Sequence, residues 1–264
     1  MSDPRRELAW CLLGPDLLRV NPLPLPGLTA WLDSLSDEAI EAHFDGLPDQ
    51  LGRRFERHWE WAFSQRPSWS VHAADVQIIL DGRTLGAPDL LLSHGDTAWH
   101  VELAVKFYLC RPGKTGWETS HWAGPRGNDR LDRKLSRLQE HQLPLLQRPG
   151  VQQWLVDRGL PIPTRQAAII KGILFEHWIQ QTTGPAEIRP AGCWCWQSEL
   201  LEAVPAADVL RHEMWLGDAT DAVSLTGQSL VYAVEHHVNT SGSVQLWAQN
   251  KRWFVVPDGW PDSI

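Results

Sequence analysis

The sequence predicts an α/β protein, a mixed sheet between helices, with a helical extension on its N-terminal side and an α+β extension on its C-terminal side. Three observations lead there. Leu51, Phe55, Trp59 and Phe63 form an apolar stripe of helical period, and the residues after it alternate with a period of two. The alternating residues fall into three runs, 69–80, 84–92 and 98–108, separated by the turn formers DGR and HGD. A second helical segment then leads to RQAAIIKGILFE at 165–176, an almost wholly apolar strand of the kind buried on both faces.

Taken in order, RRELAWCLLG at 5–14 has two arginines before a short apolar stretch, as a targeting segment does. Glu7 interrupts it and no small-residue cleavage site follows, so an ordinary first helix is expected. NPLPLPG at 21–27 is a stiff connector to helical residues at 28–44. The striped helix follows Pro48 and Asp49 and ends before Pro67. In the run 98–108, Trp99, Val101, Leu103, Val105 and Phe107 face one way, and His100, Glu102, Ala104, Lys106 and Tyr108 the other. After a Gly-rich, Trp-containing loop a helix is expected from about Asp129, with Asn128 as its N-cap. Leu131, Leu135, Leu138 and Leu145 mark its buried side, and Arg130, Lys134, Arg137 and His141 a basic stripe. A further helix near 150–158 leads to 165–176, which should run parallel to 98–108 through a right-handed crossover. Beyond residue 180 the expectations are a helix near 197–214 and a terminal hairpin turning at 249–251. Trp194 and Trp196 alternate like a strand face in the core. Three regions follow: 1–45 helical, 46–180 the core, and 181–264 a Trp-rich acidic region packed on it.

With 264 residues, folding should shrink about 43,000 Å² of unfolded surface to about 12,000 Å², so a sizeable core is available. Hydrophobic residues at 43% and charged residues at 21% exclude collagen-like, disordered and coiled-coil classes. No run of 18 apolar residues exists to span a membrane. Cys11, Cys110, Cys193 and Cys195 show no C-x-x-C spacing, which fits a reducing cytoplasm and argues against structural zinc.

The net charge of −8 argues against a polyanionic partner, but it is unevenly spread. Residues 1–105 hold 8 basic and 16 acidic side chains, whereas 106–137 hold 8 basic and 3 acidic. Arg126, Arg130, Lys134 and Arg137 therefore form a candidate phosphate-facing strip, with a solvated basic helix face as the alternative.

Asp89 and Glu102 fall on adjacent antiparallel runs about 4.8 Å apart, and two carboxylates so placed can hold one hard cation through oxygen. Lys106 shares the face of Glu102, and Glu56 lies beside the apolar stripe of the leading helix. A solvated acid pair is the alternative. His100-Val101-Glu102 imitates the H-x-E of zinc deaminases, but no P-C-x-x-C follows. His236 and His237 are adjacent and cannot share one face of a strand. No P-loop, dinucleotide fingerprint or G-x-S-x-G is present.

"LGAPDLLL" is similar to the G-x-x-D-[LIV]-[LIV] strand of the PD-(D/E)XK nuclease superfamily, "VELAVKF" to its acid-lysine strand, and "LGRRFERHW" to its leading helix. The order helix, three strands, helix, strand is that superfamily's core. "GRTLGAPDLLL", "WHVELAVKFYL", "WAGPRGNDRLDRKLSRLQEHQL" and "KGILFE" resemble a bacterial family of uncharacterised proteins within it. The resemblance implies a restriction-endonuclease-like core binding Mg²⁺ or Mn²⁺, with Asp89 and Glu102 as metal ligands and Glu56 as the helix acid. It departs from the superfamily pattern at one position. The usual lysine, two residues after the glutamate, is Ala104 here. Lys106 is four residues on, about 13 Å along the strand, and Lys171 or Lys134 are the alternatives. The expected function is metal-dependent cleavage of phosphodiester bonds in DNA or RNA, in the cytoplasm. A non-catalytic nucleic-acid- or protein-binding module on a degenerate nuclease core is the other reading.

Overall fold

A computed structural model describes residues 3–180, 182, 184, 189–217 and 224–261. Helix α1 (Pro4–Leu13) starts where the Asp3 carboxylate accepts the backbone N–H groups of Arg5 and Arg6 at 3.0 and 3.3 Å. Strand β1 (Asp16–Val20) follows, an element that sequence reading missed. The expected helix over 28–44 is two, α2 (Leu28–Asp33) and α3 (Asp37–Phe44), because Ser36 takes an extended conformation and caps the second by accepting the Ala39 N–H. Helix α4 (Leu51–Ser64) buries Leu51, Phe55, Trp59 and Phe63 as its period requires.

The expected strand 69–80 is broken. It becomes β2 (Trp69–Ala74) and β3 (Ile78–Leu80), and the latter pairs only with β4 (Arg83–Gly86) in a separate two-stranded ribbon. Asp75 is the cause: its φ of 49° turns the chain out of the ladder, and its N–H donates to the Asp89 carbonyl at 3.0 Å. The Asp81-Gly82 turn, with φ of 49° and 73°, closes the ribbon. Strands β5 (Leu90–His94) and β6 (Thr97–Cys110) form an antiparallel hairpin, and β7 (Trp122–Ala123) pairs with the far end of β6.

Helix α5 (Leu131–Arg137) begins two residues later than expected, because Asp129 is taken up by side-chain partners and Arg130 bridges to Ala123. It continues as a π-helical turn, 138–142, in which the Leu143 N–H reaches the Leu138 carbonyl. Leu131, Leu138 and Leu145 are buried and Leu135 is half-buried. Helix α6 (Pro149–Val156) and strand β8 (Arg165–His177) follow as expected, the strand buried through most of its length.

Beyond it come β9 (Gly192–Trp196), α7 (Leu200–Ala203), β10 (Ala206–Leu210), β11 (Ser224–Thr226), α8 (Gly227–Ser241), β12 (Val244–Ala248) and β13 (Lys251–Val256). The helix expected over 197–214 stops after one turn. Pro205 forces Val204 to φ −140°, ψ 86°, and a strand follows. The terminal hairpin turns where expected, with Gln249 and Asn250 at φ 52° and 59°.

The chain divides into two compact units that interleave along the sequence. The first is Met1–Trp10, Lys106–Lys134 and Gly172–Ile264; the second is Cys11–Val105 and Leu135–Lys171. In the second, the sheet order is β1, β8, β6, β5, β2, and Ile78, Leu91, Leu145, Leu146, Val151, Trp154 and Leu155 form one core cluster. In the first, β8, β9 and β13 run parallel and β13, β12, β10 and β11 antiparallel, with α7 and α8 packed on them. The strand pairing within each unit is mixed. The Thr164 N–H meets the Ala98 carbonyl and, eight residues along each strand, Gly172 meets Lys106, so β6 and β8 are parallel as expected. Gly172 is obligatory there: a Cβ would lie 1.8 Å from the Lys106 carbonyl oxygen.

The four cysteines are buried free thiols, and burial pushes Cys110 up to about 11 and Cys195 up to about 12. Among the described residues no helix is long and apolar enough to cross a membrane.

Candidate active site

In the second unit the paired register of β5 and β6 runs from His94 opposite Thr97 to Leu90 opposite Val101. One step further puts Asp89 opposite Glu102. The Asp89 carboxylate accepts the Leu103 N–H at 2.6 Å, so it is anchored to the strand that carries Glu102. Asp89 thus contacts the backbone of the residue that follows Glu102.

Glu102 is 2% exposed, and both of its oxygens are engaged. Oε1 faces His100 Nε2 at 2.8 Å, and Oε2 accepts the Gln142 side-chain amide. His100 is fully buried, and its Nδ1 faces the Leu143 carbonyl at 3.3 Å. Both ring contacts together need a proton on each ring nitrogen, or one on the carboxyl facing Nε2. Buried polar groups are costly unless satisfied, and here each supplies what the next lacks.

His100 and Gln142 were not among the expected site residues. The first was legible, since residues two apart on a strand share a face. Gln142 was not. It closes the π-helical turn, where an extra residue shifts every later side chain around the helix axis relative to α-helical spacing.

Glu56 belongs to the same unit. Arg53 pairs with Glu56 at 3.2 Å and with Asp75 at 2.5 Å, and the Asp75 backbone is bonded to that of Asp89. Burial holds the Glu56 carboxyl above its ordinary value of 4.5, against the opposing pull of Arg53.

The lysines go elsewhere. Lys171, 7% exposed, donates to Asp16 Oδ1 and to the Gly14 carbonyl, both at 2.7 Å. Strand β1 explains this, since it sets Asp16 opposite Lys171 in register. Lys106 belongs to the first unit, where it donates to Asp129 Oδ2 at 2.7 Å. Tyr108, on the same face, reaches that oxygen at 3.3 Å, and burial together with Asp129 pushes its hydroxyl above the ordinary range. Ala104 is half-buried and offers no polar group.

The expected basic strip is partly neutralised within the protein. Arg130 makes a two-pronged pair with Asp132, and Arg126 donates to the Ser241 carbonyl at 3.3 Å. Lys134 is half-buried, and these three belong to the first unit. Arg137 is exposed and belongs to the second.

The carboxylates that a divalent cation would use are those of Asp89 and Glu102; the Gln142 contact to Glu102 is an N–H donor and not a ligand. Among the described residues no group of three or more His, Cys, Asp or Glu is arranged to hold a metal. Mg²⁺ or Mn²⁺ held by one or two carboxylates keeps several waters, and at Glu102 it would have to displace the contact with His100 or Gln142.

These features define an α/β protein whose second unit places Glu102 on β6 and, just before β5, Asp89 bonded to the β6 backbone. The profile of a family described as "Domain of unknown function (DUF1853)" matches residues 6–256, and the chain belongs to that family. No curated protein and no solved structure matches the chain.

Proposed function

We propose that the chain is a metal-dependent nuclease of the PD-(D/E)XK type, cleaving phosphodiester bonds of DNA or RNA with Mg²⁺ or Mn²⁺ at Asp89 and Glu102. The supporting observation is the anchored pair: Asp89 held by the Leu103 N–H at 2.6 Å and Glu102 held by His100 and Gln142. The order of α4, β2, β5, β6, α5 and β8 agrees with the core that the sequence motifs imply. A bound cation supplies Lewis-acid polarisation of a phosphoryl oxygen and activation of water. The protein's own part is to fix the carboxylates. The Leu103 N–H orients Asp89, and the Gln142 amide and the His100 ring orient Glu102.

One observation favours the second reading, a binding module on a degenerate core. Ala104 replaces the usual lysine, while Lys106 and Lys171 are both committed to other carboxylates. Calorimetry with Mn²⁺ on the parent and on Asp89→Asn, followed by incubation with single- and double-stranded DNA and RNA, separates them. The nuclease reading expects Mn²⁺ binding that Asp89→Asn weakens, with Mn²⁺-dependent cleavage of at least one substrate. Unchanged Mn²⁺ affinity in the variant overturns the metal site, and a parent that binds these substrates without cutting any supports the module.

A further inference from the structure

The second unit also holds a cavity of about 510 Å³ away from the acid pair, where β1 ends and β6 and β8 begin. Asn21, Trp99, Gln147, Thr164, Arg165 and Gln166 line it. Trp99 lies on the opposite face of β6 from Glu102, by strand alternation. The volume falls within the range of small-ligand sites.

Several of its polar side chains have no partner among the described residues. Trp99 is half-buried, and no aromatic ring of the described residues packs on it. Arg165 is exposed and has no acidic partner among the described residues, and the side chains of Gln166 and Asn21 have no hydrogen-bond partner there either. Gln147 spends its amide nitrogen on the Pro163 carbonyl, which leaves its oxygen as an acceptor. No carboxylate lines the cavity, in a chain whose net charge is −8. Such a lining offers an apolar ring, one unpaired cation, and amides that both donate and accept.

From this we propose that the cavity binds a nucleoside monophosphate unit, its base stacked on Trp99, its phosphate on Arg165 and its base edge read by the amides. Every base has a π-face for an indole, and a guanidinium matches phosphate geometry. A neutral sugar would leave Arg165 unused, and an inorganic anion would leave Trp99 unused. The unit comes either as a free nucleotide or as one unstacked nucleotide of a single strand. Base-paired duplex does not present it.

The test is calorimetry on the full chain with chelator present, using AMP, adenosine, ribose 5-phosphate and a single-stranded 12-mer of deoxyadenylate. AMP or the 12-mer should bind, with adenosine and ribose 5-phosphate each weaker. Trp99→Ala should lower the affinity by roughly 5- to 100-fold, while Trp99→Phe, which keeps a stacking face, should stay close to the parent. Arg165→Gln should weaken AMP and leave adenosine unchanged. Binding of AMP assigns a free nucleotide, and binding of the 12-mer alone assigns a nucleotide within a strand. If neither binds, or if Trp99→Ala or Arg165→Gln binds AMP and the 12-mer as the parent does, the proposal is overturned. Because the chelator removes any divalent ion, this outcome is independent of whether Asp89 and Glu102 support cleavage.

Discussion

Two histidine–glutamate pairs of nearly equal length, each with a buried imidazole, lie in the two units. His100 meets Glu102 at 2.8 Å in the second, and His177 meets Glu199 at 2.9 Å in the first. Their neighbours differ. Glu199 also accepts the Trp196 N–H, three residues before it, and so caps the short helical turn on which it sits. Trp194 and Trp196 pack on the His177 ring at 4.4 and 4.9 Å, and Trp260 packs on Trp194. There the imidazole is packed by indole rings and the glutamate is bound to local backbone. Glu102 has instead an amide brought from a distant helical turn, an aspartate across the strand pair, and half-buried Ala104 next along its face. A buried ion pair alone says little about function. The difference lies in whether its surroundings add only closure, or a second acid.

The largest expected effect separates the charge of Glu102 from its hydrogen bonds. In Glu102→Gln the new carbonyl oxygen can still accept from Gln142, and the new amide N–H can donate to His100 Nε2 once that ring carries its proton on Nδ1, facing Leu143. The network stays satisfied, so stability should change by less than about 1 kcal/mol. Loss of the charge should nonetheless lower Mn²⁺-dependent cleavage by about 100-fold or more if the carboxylate holds the cation. Chemical denaturation and a cleavage assay on the same preparation read both numbers. A variant that cuts as the parent does would make the pair as structural as the other one.

Glu199→Ala is the counterpart. It removes a cap and leaves a buried imidazole unpaired, at a cost of about 2 kcal/mol, with cleavage per folded molecule unchanged. Equal stability to the parent, or a selective loss of cleavage with the fold intact, would break the contrast.

How much of this could be read in the sequence follows the same division. Strand alternation and turn chemistry are local, so the β5–β6 hairpin, the Asp81-Gly82 turn and the terminal hairpin were legible. Helix α4 was legible because its stripe has a single period. The partners that commit the lysines were not, because they depend on long-range pairing. Asp16 reaches Lys171 only through β1, a five-residue strand after a Gly-Pro that carries no alternation of its own. Asp129 looks like the first residue of a helix until Lys106 and Tyr108 claim its carboxylate. The break at Asp75 was hidden because an aspartate with positive φ leaves the apolar pattern on either side intact.

The smallest expected effect concerns Glu56, the third of the candidate site acids, for which the two readings give opposite expectations. Its side chain is 29% exposed, and burial raises its carboxyl above the ordinary 4.5 while Arg53 and Arg57 oppose and Asp75 assists. An acid whose folded-state value is raised binds protons more readily folded than unfolded, so stability is greatest below 4.5 and falls as pH rises through the raised value. Glu56→Gln cannot ionise and removes that slope. Its melting temperature relative to the parent should therefore climb as the pH is taken upward from 4.5, by a small amount because Arg53 already offsets part of the burial. If the acid serves only to hold Arg53 against Asp75, cleavage should follow the parent at every pH. If it contributes to the acid pair, cleavage should fall while the melting temperature rises. A melting difference independent of pH would show that its ionisation has no bearing on folding.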